Sequence, residues 1–87
     1  MYIIISYDVP ANRTNVFKKI CRRFLPHRQN SLFSGNLSRS LFEKLKREIL
    51  NNLKEGDRVI VWKIADGTIF SEEEYGESKY SLGDDII

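Results

Sequence analysis

The sequence predicts an α+β domain in which two amphipathic helices cover one face of a mostly antiparallel sheet. Three observations carry that prediction. The chain opens on an unbroken β-branched and aromatic run, MYIIISYDV, from Met1 to Val9. Two later segments repeat apolar residues at helical spacing. A second strong strand pattern, RVIVWKI from Arg58 to Ile64, follows the second of them.

The opening run reads as a central buried strand, because both of its faces are apolar. Asp8 stands at its C-terminal end, and Pro10, which lacks a ladder donor, stops it. Asn12 or Thr14 is placed to cap a helix. Val16, Phe17, Ile20, Cys21, Phe24 and Leu25 share one face of it, and Pro26 ends it. Between Arg28 and Leu37 the pattern fits one bent strand or two short ones around Ser34–Asn36, without fixing where the turn falls. Ser38 or Ser40 caps the second helix, and Ser40 with Glu43 has capping-box spacing. Leu41, Leu45, Ile49 and Leu53 recur every fourth residue, and Gly56 closes the segment. After Arg58–Ile64, Asp66-Gly67 predicts a tight turn into a short strand at 68–70. Residues 72–83 read as acidic and irregular. The order gives a ferredoxin-like βαββαβ domain with a short extra C-terminal strand.

With 87 residues the chain makes one domain over 1–87. So short a chain buries only about 60–65% of its unfolded surface, so a partner subunit is expected. Residues from about 79 to 87, which end in Ile86 and Ile87, read as a tail that packs on that partner. One cysteine excludes an internal disulfide and fits a reducing compartment. No apolar run reaches the roughly 20 residues of a membrane span, and the N-terminus lacks a basic region of the signal-peptide kind. A cytoplasmic protein without a membrane partner is expected.

The net charge of +2 hides an asymmetry. From Val9 to Phe42 there is no acid against seven Lys and Arg; from Asp57 onward eight acids face three. A basic half beside an acidic one points to a polyanion partner. Arg13, Lys18, Lys19, Arg22, Arg23, Arg28 and Arg39 are candidate phosphate contacts, of which the first six form the nucleic-acid-binding set. Taken singly, each is more often a plain solvated charge. Phosphate-binding GxxxxGK[ST] loops, cysteine or histidine metal clusters and GxSxG elbows are absent from the sequence.

Asp8 is the foremost candidate for chemistry. It is a carboxylate at the junction of an apolar strand and a loop, and a hard cation such as Mg²⁺ takes oxygen ligands there. Its alternative role is to start the turn before the first helix. In a strand Ser6 and Asp8 share one face and Tyr7 takes the other, where core packing is the commoner role. Cys21, on the apolar helix face, reads as core. His27, the only histidine, is either a surface loop residue or a group working near neutral pH.

Together these segments resemble the small CRISPR-associated endonuclease family. The resemblance rests on the opening strand ending in Tyr7-Asp8 and on Gln29-Asn30-Ser31-Leu32-Phe33-Ser34-Gly35, which is similar to that family's second signature. A basic amphipathic helix separates the two, as in the family. The chain departs from the pattern at Leu32, Ser34 and His27, where the family usually has Val, Glu and Arg. The resemblance implies a ferredoxin-like homodimer that binds the CRISPR integrase subunit during spacer acquisition and antiviral defence. It implies a metal-dependent endonuclease (endoribonuclease or DNase) cleaving phosphodiester bonds. Mg²⁺ or Mn²⁺ would be held by Asp8 at the dimer interface, with Tyr7 beside it as a catalytic candidate. The alternative is a non-catalytic dimeric DNA-binding scaffold that bridges integrase subunits. A generic RNA-binding domain is disfavoured, since the RNP1 pattern is missing, and a metabolic subunit on the same fold is a further possibility.

Overall fold

The computed structural model describes residues 1–65 and 69–76, with only the backbone of Ile69 and Phe70. The order is β1 (Tyr2–Asp8), a 3₁₀ turn (Ala11–Arg13), α1 (Thr14–Cys21), β2 (His27–Gln29), β3 (Leu32–Asn36), α2 (Arg39–Asn52), β4 (Arg58–Ala65) and β5 (Ile69–Gly76). The strands form one sheet in the order β2-β3-β1-β4-β5, every pairing antiparallel. The first four strands have the ferredoxin-like arrangement, and β5 extends it beside β4.

Strand alternation separates the faces. Ile3, Ile5 and Tyr7 of β1 are buried, as are Val59 and Val61 of β4 and Phe33 of β3. They form one core with Phe17, Ile20 and Cys21 of α1 and Phe42, Leu45 and Ile49 of α2. Fully burying a side chain of this size stabilises by about 1.5–3 kcal/mol. The opposite register carries Ile4 beside Trp62 and Ser6 beside Ile60 and Leu32. These residues are half-buried, and none belongs to the helix-packed core.

Four details differ from the sequence expectations. The hairpin turn falls at Asn30-Ser31, because Asn30 takes a φ of 41° that asparagine tolerates; Ser34–Asn36 lies inside β3. Helix α1 stops at Cys21, and Phe24 and Leu25 pack from the turn that follows. Neither Asn12 nor Thr14 caps α1 through its side chain. Of the two serines expected as the α2 cap, Ser38 serves, its Oγ accepting from the Leu41 N–H at 3.2 Å. Finally, the acidic stretch is ordered further than expected, since β5 runs eight residues to Gly76.

Regular strand structure absorbs those acids. Trp62 Nε1 donates to Glu72 at 2.7 Å, Arg58 bonds Glu74 at 3.0 Å, and Glu73 is held by Lys63 and by the Tyr75 hydroxyl. The expected tail from about residue 79 lies outside the described residues.

Candidate functional site

A cleft of about 530 Å³ opens where β1 ends. Its walls come from three places. Tyr7, Asp8 and Val9 arrive from β1, Thr14, Asn15 and Lys18 from α1, and His27, Asn30 and Ser31 from the β2–β3 hairpin. Lys18 stands three positions after Asn15 and four after Thr14, so α-helical spacing sets it beside both.

Asp8 is exposed at the mouth, and it is the one carboxylate lining the cleft among the described residues. Tyr7 lies behind it, 6% exposed, its ring 5.8 Å from Phe17 and 6.1 Å from Phe33. Burial raises its pKa above the ordinary tyrosine value, with a further push from Cys21. The Tyr7 phenol is therefore neutral at physiological pH, so it can pack or donate but not act as a phenolate. His27 stacks on the outer side of this aromatic row, 4.4 Å from Phe33 with the planes 14° apart. Its Nε2 lies 2.6 Å from the Asn30 carbonyl oxygen, which can only accept, so Nε2 carries a proton.

The basic candidates do not act as one cluster. Lys18 lines the cleft. Lys19, Arg22 and Arg23 are exposed along and just after α1, and Arg23 pairs with Glu48 at 2.6 Å. Arg28 donates to Ser34 Oγ at 2.9 Å, where the Tyr2 hydroxyl also donates at 3.0 Å. Arg39, exposed at the start of α2, lines a different and smaller cleft.

Arg13, one of the candidate phosphate contacts, does not line the cleft. Its guanidinium is bonded to both carboxylate oxygens of the buried Asp57 and to the Asn52 carbonyl. That side chain is 16% exposed and serves the fold. Sequence reading had no way to see Asp57 as its partner, 44 positions away. None of Thr14, Asn15, Asn30 and Ser31 is among the site residues expected from the sequence; the Asn-Ser turn and the helix spacing are the signals available for them. Cys21 packs in the core with its thiol pKa pushed up to about 12 by burial, so it is not a nucleophile.

The model of the family described as CRISPR associated protein Cas2 matches residues 1–71. The chain belongs to the CRISPR-associated Cas2 family. A relative from Archaeoglobus fulgidus, named CRISPR-associated endoribonuclease Cas2 2, is 38% identical over all of this chain and 96% of the relative. The Haloferax volcanii protein named CRISPR-associated endoribonuclease Cas2 is 35% identical over 90% of this chain and 91% of its own. A solved structure titled as a crystal structure of cas2 superposes with a TM-score of 0.70 at 34% identity. It covers 94% of this chain and 93% of the other. The Cas2 fold therefore extends to this chain. No helix among the described residues is long and apolar enough to cross a membrane.

As to a metal, no three His, Cys, Asp or Glu converge among the described residues. One Cas2 chain thus offers a hard cation Asp8 and neutral oxygens nearby. Mg²⁺ accepts so sparse a set, since it binds through one or two carboxylates plus substrate phosphate and keeps several waters. The residues fit a shared or substrate-completed Mg²⁺ or Mn²⁺ site and not a dedicated cage.

Proposed function

We propose that this Cas2 protein is a dimeric, Mg²⁺- or Mn²⁺-dependent phosphodiesterase of CRISPR spacer acquisition, cleaving RNA or DNA at Asp8. One observation carries the reading. Asp8 stands exposed at the end of β1, in the same alternation as Ile4 and Ser6 on the face that the helix-packed core leaves out. Pairing two such faces about a twofold axis would bring two Asp8 carboxylates toward one scissile phosphate.

In this reading Asp8 holds the cation and thereby fixes the phosphate. When bound, the cation offsets charge on the phosphoryl oxygens and lowers the pKa of a bound water. Lys18 neutralises a neighbouring phosphate from the opposite wall. Tyr7 supports the strand end from the core. The names of the relatives favour RNA as a substrate; DNA is tested beside it.

The test is cleavage of labelled RNA, single-stranded DNA and duplex DNA by wild type and Asp8→Asn, with Mg²⁺ or with chelator. Loss of about 10²-fold or more in Asp8→Asn, with dimer mass and melting temperature retained, supports the site. Undiminished metal-stimulated cleavage by that variant overturns it.

A second reading has its own observation. Lys19 in α1 and Arg22 just after it are exposed and do not line the cleft, and such charges suit duplex backbone. There the dimer is a scaffold docking the integrase subunit, and spacer acquisition survives Asp8→Asn but fails when Lys19 and Arg22 are both changed to Glu.

A further inference from the structure

We propose that the cleft beside Asp8 is a subsite for one unpaired nucleotide, its base stacked on His27 and its phosphate held by Lys18. The proposal rests on the nucleic-acid reading above and adds the form of the substrate, a single strand with a base turned out of any duplex.

Phe17, Tyr7 and Phe33 are buried, and their rings follow one another at 5.8 and 6.1 Å. His27 continues the row at 4.4 Å and nearly parallel, yet it is itself exposed and lines the cleft. An exposed ring backed by a buried one is a platform with one face left for a further flat group. Nucleic-acid bases are such groups, and stacking on aromatic or histidine rings is how unpaired bases are held.

The platform is fixed before any ligand arrives. The Nε2–H bond to the Asn30 carbonyl anchors the ring edge, and Asn30 adopts its left-handed backbone to present that carbonyl. A ring so held loses little freedom when a base settles on it. The remaining walls supply what a nucleotide needs. Asn15, Asn30 and Ser31 can donate and accept toward base edges or sugar hydroxyls, and Lys18 brings a positive charge for phosphate. A volume of about 530 Å³ sits in the size range of small-ligand clefts, which run to about 300–1,000 Å³. A base still paired and stacked within a duplex could not enter. Asp8 at the mouth then lies next to the backbone of the captured nucleotide.

The test measures binding in chelator, so that cleavage does not intervene. Fluorescein-labelled oligoadenylate RNA, the matching DNA strand and the duplex of each are titrated with wild type, His27→Ala, His27→Phe and Lys18→Ala. His27→Ala is expected to weaken both single strands by about fivefold or more and the duplexes by less than about twofold. His27→Phe should restore most of the single-strand binding, because the ring supplies the stacking and the Nε2–H only anchors its edge. Lys18→Ala should lower the salt slope on single strands by about 0.7. Equal loss on single strands and duplexes, no loss in His27→Ala, or failure of His27→Phe to rescue while its melting temperature matches wild type would each overturn the proposal. An unchanged slope in Lys18→Ala would overturn the phosphate contact. The hydrolytic reading fails separately: full cleavage by Asp8→Asn would sink it while leaving the binding pattern at His27 intact.

Discussion

Arg13 and Asp57 join the turn before α1 to the loop before β4 through a two-pronged ion pair. Nε lies 3.0 Å from each carboxylate oxygen and one terminal nitrogen 2.8 Å from Oδ2. Asp57 is wholly buried and also accepts from the Lys54 N–H at 2.9 Å. Burial by itself would raise the Asp57 pKa. Hydrogen bonds from Arg13 and Lys54, with the Arg13 charge, outweigh it and hold the carboxyl below the ordinary aspartate range.

A folded-state pKa below the unfolded value of about 3.9 contributes stability that is fully present above that pH. The contribution is lost as pH falls through the lower folded value. Asp57→Asn is therefore expected to lower the melting temperature at neutral pH, by roughly 10 °C or more, because it strands a guanidinium among buried groups. Its deficit against wild type should shrink in strong acid. Calorimetric scans from pH 7 down to pH 2 check both parts, and a deficit that stays constant with pH would refute the linkage.

Gly76 ends β5 with a φ of 91°, directly over the Asp57 backbone. A Cβ at this position would overlap the Asp57 carbonyl oxygen, which is backbone and cannot rotate away. Gly76→Ala should thus destabilise through the same corner of the fold that Arg13 clamps, at a cost of about 1–3 kcal/mol. Amide exchange should localise the damage to the Arg58–Gly76 end of the β4–β5 ladder. Protection unchanged there would argue that the loop before β4 moves freely.

The framework was legible because its signals are local. The Met1–Val9 run, the Leu45–Ile49 stripe and Arg58–Ile64 each announce an element through spacing alone. What stayed hidden depended on distant partners. The acids at 72–74 read as irregular because nothing in their own window shows that Trp62, Lys63 and Arg58 stand across the ladder to receive them. Arg13 read as a phosphate ligand for the same reason, since Asp57 is far away in sequence. At the site, Asp8 was legible as a charge at the end of an apolar strand. The stack of His27 on Phe33 was not, because it requires the bulge between His27 and Gln29 that shifts the β2–β3 register.

Three tyrosines should titrate in distinct windows. The hydrogen bond with Ser34, aided by the nearby Arg28 charge, lowers the Tyr2 pKa below the ordinary value. Burial raises that of Tyr7, and burial followed by the contact with Glu73 raises that of Tyr75 well above it. Absorbance titration of Tyr2→Phe should remove the earliest phenolate signal, whereas Tyr75→Phe should alter only the most alkaline part. The raised groups contribute stability below their unfolded pKa of about 10, and that stability is lost as pH climbs through the folded values. Wild type should accordingly unfold at a lower alkaline pH than a Tyr75→Phe variant of matched neutral stability. Indistinguishable titration curves for the two variants would contradict this ordering.

The helix-free face sets the last expectation. Ile4, Ile60 and Trp62 meet across β1 and β4, half-buried and bordered by Glu72 and Arg58. In a single small chain this apolar strip costs solubility unless a second copy covers it. Charge placed at its centre should therefore separate the copies without harming the helix-packed core on the other side. Ile60→Asp is expected to halve the mass seen by light scattering at micromolar concentration while leaving far-ultraviolet dichroism unchanged. Trp62, already fixed by its Nε1–H bond to Glu72, then reports the event directly. Its emission should shift to the red in Ile60→Asp, as water replaces the opposing chain. If the mass holds and the emission stays put, the two copies meet elsewhere. The paired arrangement of Asp8 would then lose its physical basis.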